Sequence, residues 1–408
     1  LMNLKLRSKN DWGRLDMTSE WNHFALGEIT ELVIDYRGKT PKKLGGDWCK
    51  QGYRALSAKN IKTGRIVQAE TIRYIDESLY RKWMKDEVQR GDILITSEAP
   101  FGQIFFWDSD EKIVLSQRLF CVRIKPEYDA RFIYYYMTTP EFQSELDGRA
   151  TGTTVIGLRQ PELMKCIIRC PEIQEQKVIA AILSSIDAKI IANEKVNDNL
   201  QQQAAALFSS LYDRSNTEVR FTDLIQILGG GTPKTGENTY WNGNIAFFTP
   251  KDVGIPYTLI TEKTISKEGL SHCNSRLYPV NTVFVTARGT VGKVGMSGVP
   301  MAMNQSCYAL VGKETHQLLV YFYTLKAVDR LKHKASGAVF DAITTRDFES
   351  EQIMKLSDDD ATAFLRVAEP MFQEVLNNNI ENLRLSTLRD SLLPKLMSGE
   401  IDVSAVQL

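Results

Sequence analysis

The chain is poor in the residues that build metal centres and disulfide frameworks. Its six cysteines (Cys49, Cys121, Cys166, Cys170, Cys273, Cys307) and four histidines (His23, His272, His316, His333) are scattered over 408 residues. Neither a CxxC pair nor a Cys/His cluster occurs, so spacing supports no zinc site and no disulfide scaffold. Cys166 and Cys170 flank Ile167 and Ile168 and read as core. Long apolar runs are also missing. Each is broken by charge well short of the ~18 residues a spanning helix needs, and residues 1–20 are polar without the apolar centre of a signal peptide. The expectation is a cytoplasmic chain with no membrane contact. Catalytic signatures fail too. There is no Asn/Asp-Pro-Pro-Tyr/Phe stretch of an amino-methyltransferase. Residues 229–231 are three glycines that lead into Thr232-Pro233 without a strand-loop-helix dinucleotide fingerprint, and GTVGKV at 289–294 lacks the spacing of a P-loop. A nuclease set drawn from Glu172, Glu175 and Lys177 would crowd the start of a helix that has to pack. The chain reads as non-catalytic, with no cofactor of its own.

What is present is a repeat. Thr40-Pro41-Lys42 returns as Thr232-Pro233-Lys234, residues 92–104 are echoed by 281–294, Gln117 by Gln305, and 149–163 by 334–348; each half then enters a long helical stretch. This gives five segments: an extension (1–20), a first domain (21–171), a first helix (172–216), a second domain (217–356) and a second helix (357–408). The zero net charge conceals a polarity between them. Residues 21–171 hold 23 basic against 20 acidic side chains and 217–356 hold 15 against 12, whereas 172–216 hold 4 against 6 and 357–408 hold 4 against 9. Domains that favour an anion and helices that favour another partner fit this pattern.

Within each domain, short apolar runs bounded by Gly, Pro and Asp read as strands: 93–95, 104–106, 119–122 and 283–285. Residues 129–138 and 316–334 carry aromatics and leucines at helical spacing, as core-facing helices do. The domains are therefore expected to be mixed α/β. From 174 to 212 a near-heptad stripe passes through Ile179, Ile182, Ile186, Ile190, Val196, Leu200, Ala204, Leu207 and Leu211. A second stripe starts at the cap Ser357-Asp358-Asp359-Asp360 and passes through Leu365, Phe372, Leu376, Ile380, Leu383, Leu388, Leu392 and Leu396, with a kink expected at Pro370. Neither stripe can stay exposed, so the two helices are expected to pair as an antiparallel intramolecular coiled coil. Asn193 and Asn379 fall at or near its seam.

The helices also carry a likeness. EQKVIAAILSSIDAKI (175–190) after Pro171 and SLLPKLMSGEIDV (391–403) closely resemble the conserved-region signatures of type I restriction-modification specificity subunits. The resemblance covers nearly the whole chain and implies two target-recognition domains related by a pseudo-two-fold axis, each reading one half of a bipartite site on double-stranded DNA. It implies helices that space the domains and dock methyltransferase subunits, with restriction subunits joining indirectly. S-adenosylmethionine, ATP and Mg would then belong to those partners. A specificity subunit attached to a related system with a different cleavage partner stays open, as does a coiled-coil scaffold that reads no DNA.

Phosphates are held by Lys, Arg, hydroxyls and backbone amides, and base edges are read by Arg, Lys, Asn, Gln, Ser and Thr. Loops that supply these types in both halves are the DNA-binding candidates. In the first domain they are Lys39, Thr40, Lys42, Lys43, Lys59, Asn60, Lys62, Gln103, Gln117, Arg118, Thr151, Thr153, Thr154, Arg159 and Gln160. In the second they are Thr232, Lys234, Lys251, Arg288, Thr290, Lys293, Asn304, Gln305, Ser336 and Arg346. Turn residues shared by a common fold would recur in the same way, and for Thr40 that reading is as good.

Overall fold

A computed structural model describes residues 21–152, 156–254, 256–334 and 342–406. The candidates Thr153, Thr154 and Ser336, and the extension 1–20, lie outside them. The chain divides into two compact units, one reaching Ala188 and resuming at Leu385, the other Lys189–Arg384. Both are mixed α/β, as expected.

The first unit holds a four-stranded antiparallel sheet in the order Thr30–Asp35, Leu119–Ile124, Ile93–Thr96, Ile104–Phe106. All four residues of Ile93–Thr96 are buried. A strand covered on both faces needs an uninterrupted apolar run rather than alternation. A second sheet of three strands centres on Tyr53–Leu56, antiparallel to Arg73–Ile75 and parallel to Ile113–Leu115. Helix Ala130–Met137 begins where the Asp129 carboxylate accepts the Phe132 N–H at 2.8 Å. It buries Phe132, Tyr135 and Tyr136, so these aromatics are core rather than a stacking platform.

The second unit repeats the plan with one more edge strand. Ile225–Gly229, Cys307–Gly312, Val283–Thr286, Val294–Ser297 and Tyr257–Thr258 form its five-stranded sheet. Its second sheet places Trp241–Phe248 between Lys263–Ile265 and a parallel Met301–Met303. Helix Gln317–Lys334 buries Leu319, Phe322 and Tyr323. Each domain is closed by pairing its first strand with its last: Asn22–Ala25 with Ile167–Cys170, and Thr217–Arg220 with Gln352–Lys355.

The long helices are Ile173–Asp213 and Asp358–Met397. In the unit Lys189–Arg384 they pair antiparallel. Asn193 reaches Asn382 and Glu381, Asn197 reaches Asn378 and Asn379, and Phe208 meets Phe364 with ring centroids 5.5 Å apart. In the other unit Asp187 pairs with Arg389 at 2.8 Å, and Ile179 and Leu183 share a core with Leu396 and Met397. Ile186 and Leu376 are buried, while Ile182, Ile190, Leu200, Leu207, Ile380, Leu383 and Leu392 are half-buried.

Two positions leave the expected seam. Val196 is 46% exposed and Leu388 47% exposed. A helix of 3.6 residues per turn drifts about 20° per heptad, and the buried line passes through Leu183, Asn193, Asn197 and Phe208 instead. Asparagine is admitted there because its amide finds another amide. Near Leu388 the inward place is taken by Arg389, held by Asp187. The second helix is not interrupted at Pro370. Among the described residues no helix is long and apolar enough to cross a membrane.

Candidate functional site

The two sheets of each domain bring the same loop ends together. In the second domain, Asn304 follows Met301–Met303 and donates its N–H to the Phe248 carbonyl at 3.0 Å, which holds it beside Thr249. Arg288 follows Val283–Thr286, and the Ala287 and Arg288 amides both reach the Ser306 carbonyl, at 2.8 and 3.2 Å. A cleft of ≈440 Å³ opens between these ends, lined by Thr249, Pro250, Lys251, Glu262, Lys263, Arg288, Gly289, Thr290, Asn304 and Ser306. Four sequence candidates, Lys251, Arg288, Thr290 and Asn304, thus meet at one place. Thr232 donates from Oγ1 to Gln305 Oε1, and Gln305 is exposed next to Asn304. Lys234, Lys293 and Arg346 are exposed but do not line the cleft.

The first domain builds the corresponding corner. Ser116 donates its N–H to the Leu56 carbonyl at 2.8 Å, as Asn304 does to Phe248, and Ser97 donates to the Arg118 carbonyl at 2.9 Å. Gln117 and Arg118 are exposed there, and Arg118 Nε lies 3.0 Å from Glu98 Oε1. Lys59, Lys62, Thr151 and Arg159 are exposed, and Lys42 is exposed on a short turn. Gln160 is half-buried at the start of helix Gln160–Leu163.

Other candidates are turned inward or held by neighbouring backbone. Asn60 is 1% exposed. Its Oδ1 accepts from the Ser57 N–H and Oγ, and its Nδ2 donates to Gln68 and Thr71. Asp252 does the same for Thr249 through Oδ2. The Lys59-Asn60 likeness to Lys251-Asp252 is therefore one exposed lysine followed by one loop-fixing acceptor. Lys39 is half-buried: its ammonium donates to the Trp83 carbonyl and lies 3.8 Å from the Tyr36 ring centroid. Burial, with Lys85 nearby, lowers its pKa. Lys43 donates to the Gly38 carbonyl at 2.9 Å and Gln103 accepts from Thr63 at 3.0 Å, while Thr40 Oγ1 accepts the Lys43 N–H at 3.3 Å.

Sequence matching missed two features. Lys263 enters the cleft because its strand pairs with Trp241–Phe248, and nothing local signals that. Glu98 was passed over because an acid does not suggest a DNA loop. In the last loop Leu158 and Ile343 are the equivalent donors, to Ser97 and Ala287, so Arg159 corresponds to Thr344, in line with the pairing of 149–163 with 334–348.

The second domain depends on glycine at two points. A Cβ on Gly230 would lie 2.2 Å from the Asn304 carbonyl oxygen, and one on Gly231 would lie 2.7 Å from the Asn274 nitrogen. The triple glycine thus serves close backbone packing beside the cleft. Among the described residues no group of three His, Cys, Asp or Glu side chains could hold a metal ion.

Comparison with known proteins agrees with this architecture. The family model described as the type I restriction modification DNA specificity domain matches residues 18–202 and again 214–355. The chain is 23% identical to the type I restriction enzyme HindI specificity subunit of Haemophilus influenzae, over 78% of this chain and 88% of that one. It is 22% identical to the MjaIX specificity subunit of Methanocaldococcus jannaschii, over 77% and 78%. A crystal structure of a type I restriction-modification S subunit from M. genitalium shares the fold, with TM-score 0.60, 16% identity and coverage of 94% and 98%. Matched twice and over most of its length, the chain belongs to the type I restriction modification DNA specificity domain family, as a specificity subunit that recognises DNA sequence and is not itself an enzyme.

Proposed function

We propose that each domain reads one half of a bipartite, asymmetric DNA site, and that the paired helices set the unread gap and dock methyltransferase subunits, through which a restriction subunit joins. The observation that carries this is the repeated corner: the same strand ends in both domains present exposed hydrogen-bonding side chains, Gln117 and Arg118 in one, Arg288 and Gln305 in the other, where the half-buried Asn304 lies beside them. Exposed lysines beside these corners, Lys59 and Lys251, suit phosphates, and the neutral amides and hydroxyls suit base edges. The acidic helices suit a protein partner. In this reading the complex works in the cytoplasm, and S-adenosylmethionine, ATP and Mg are bound by the partner subunits.

The test is co-expression with a modification subunit, followed by single-molecule sequencing of host DNA for methylated adenine. The expected result is a split motif whose halves differ, separated by a gap of constant length. Methylation at a continuous motif, or a stable complex that methylates nothing, would count against the reading.

A further inference from the structure

The two corners share one backbone frame but exchange their charges. Thr96 and Thr286 donate to the carbonyls of Gln103 and Lys293 at 2.9 and 3.0 Å, Ser97 and Ala287 to those of Arg118 and Ser306 at 2.9 and 2.8 Å, and Leu158 and Ile343 to those of Ser97 and Ala287 at 3.0 and 2.9 Å. The next position in this frame is Glu98 in the first domain and Arg288 in the second. Facing it is Arg118 in the first and Ser306 in the second. The first corner closes on itself, since Arg118 and Glu98 form an ion pair at 3.0 Å. In the second, among the described residues no carboxylate lies within ion-pair distance of Arg288. The acid–base contact lining that cleft pairs Lys251 with Glu262, at 3.6 Å, and leaves the arginine out.

A guanidinium that projects into a cleft beside Thr290, Asn304 and Ser306 is among groups that read base edges, with lysines 251 and 263 lining the same cleft for the backbone. The guanine edge offers O6 and N7 to a bidentate arginine, and a carboxylate instead accepts from the amino group of cytosine.

We propose that this equivalent position is a specificity-determining position in both domains: Arg288 takes a guanine in the second half-site, and Glu98, with Arg118 held against it, selects an amino-bearing base in the first. The proposal rests on the two-half-site reading above. It makes the difference between the half-sites the result of one charge exchange on a shared frame.

The test is the methylated motif written by the co-expressed complex of the full chain and a modification subunit, compared for the native protein, R288Q, R288K and E98R/R118S. The native second half-site is expected to contain a G·C pair that R288Q no longer requires, with adenine accepted at that place at about ten- to a hundredfold greater relative rate. R288K keeps the guanine. The double variant changes one position of the first half-site and leaves the second alone. An unchanged motif in R288Q overturns the proposal, as does a second half-site without a G·C pair. If R288Q methylates nothing, its complex is titrated with duplexes varied at each second-half position. Loss confined to the guanine-bearing duplex supports the proposal, and equal loss on every duplex marks a phosphate contact and overturns it. A native complex with no split motif sinks the two-half-site reading and this proposal together, whereas a split motif that ignores Arg288 sinks the proposal alone.

Discussion

Single side chains show how each domain keeps its loops in place. Asp92 is 1% exposed and pairs through both oxygens with Arg123, at 2.9 Å each, while its Oδ2 also accepts the Gln89 N–H. Removing the arginine would strand a buried carboxylate. Arg123→Ala is expected to lower stability by about 3 kcal/mol, read from urea unfolding; a loss below ~1 kcal/mol would show that water reaches Asp92. The thiols give a second expectation. Burial pushes Cys166, Cys170 and Cys307 up to about 12, and Cys121 is raised as well by its burial and by Asp92. Only Cys49 and Cys273 are part-exposed. A native-state titration with a thiol reagent at neutral pH should therefore show two fast groups, with the other four appearing on unfolding. Fast reaction of a third would contradict the packing described.

At the scale of elements, the sequence was legible where periodicity is strong and misleading where it lapses. The strand at 93–95 and its echo at 283–285 were readable because a strand buried on both faces must be continuously apolar. The long helices were readable from their stripes and from the Ser357 cap, whose hydroxyl accepts the Asp360 N–H at 3.1 Å. The middle of the first helix was not, since no apolar residue occupies the inward positions there. Val196 looked like the apolar seam residue there, but the buried positions are Asn193, which was expected at or near the seam, and Asn197, which was not. The corner proposed to face DNA was only half legible: residue types marked Arg118 and Arg288, but only three-dimensional pairing revealed Glu98 and Lys263. Asn197 donates to Asn379 and accepts from Asn378, at 2.9 Å each. Asn197→Leu is expected to cost about 1–3 kcal/mol by leaving both unmatched. Asn197→Leu/Asn378→Leu should recover part of this, with a coupling above ~0.5 kcal/mol in a double-mutant cycle on thermal unfolding. Additive losses would mean that the amides act separately.

For the molecule as a whole, the proposed function makes helix length a variable of recognition. Removing one heptad from each long helix, in register, shortens the pair by about 10 Å, close to three base pairs at roughly 3.4 Å each. The methylated motif should keep both half-sites and lose about three unread bases. An unchanged gap would show that something other than the helices sets it. Binding should also weaken steeply as salt rises, because lysines and arginines release counterions from the duplex.

The asparagine layer carries one more consequence. The division into compact units falls at Ala188/Lys189 and Leu385, just outside these amides, and each unit keeps apolar cores of its own. In the proposed reading, a genetic crossover at those two points would transfer a whole reader with its sheets and its share of both helices. On that proposal the chain is a cassette, in which new bipartite specificities would arise by exchanging intact halves, each with its own apolar core.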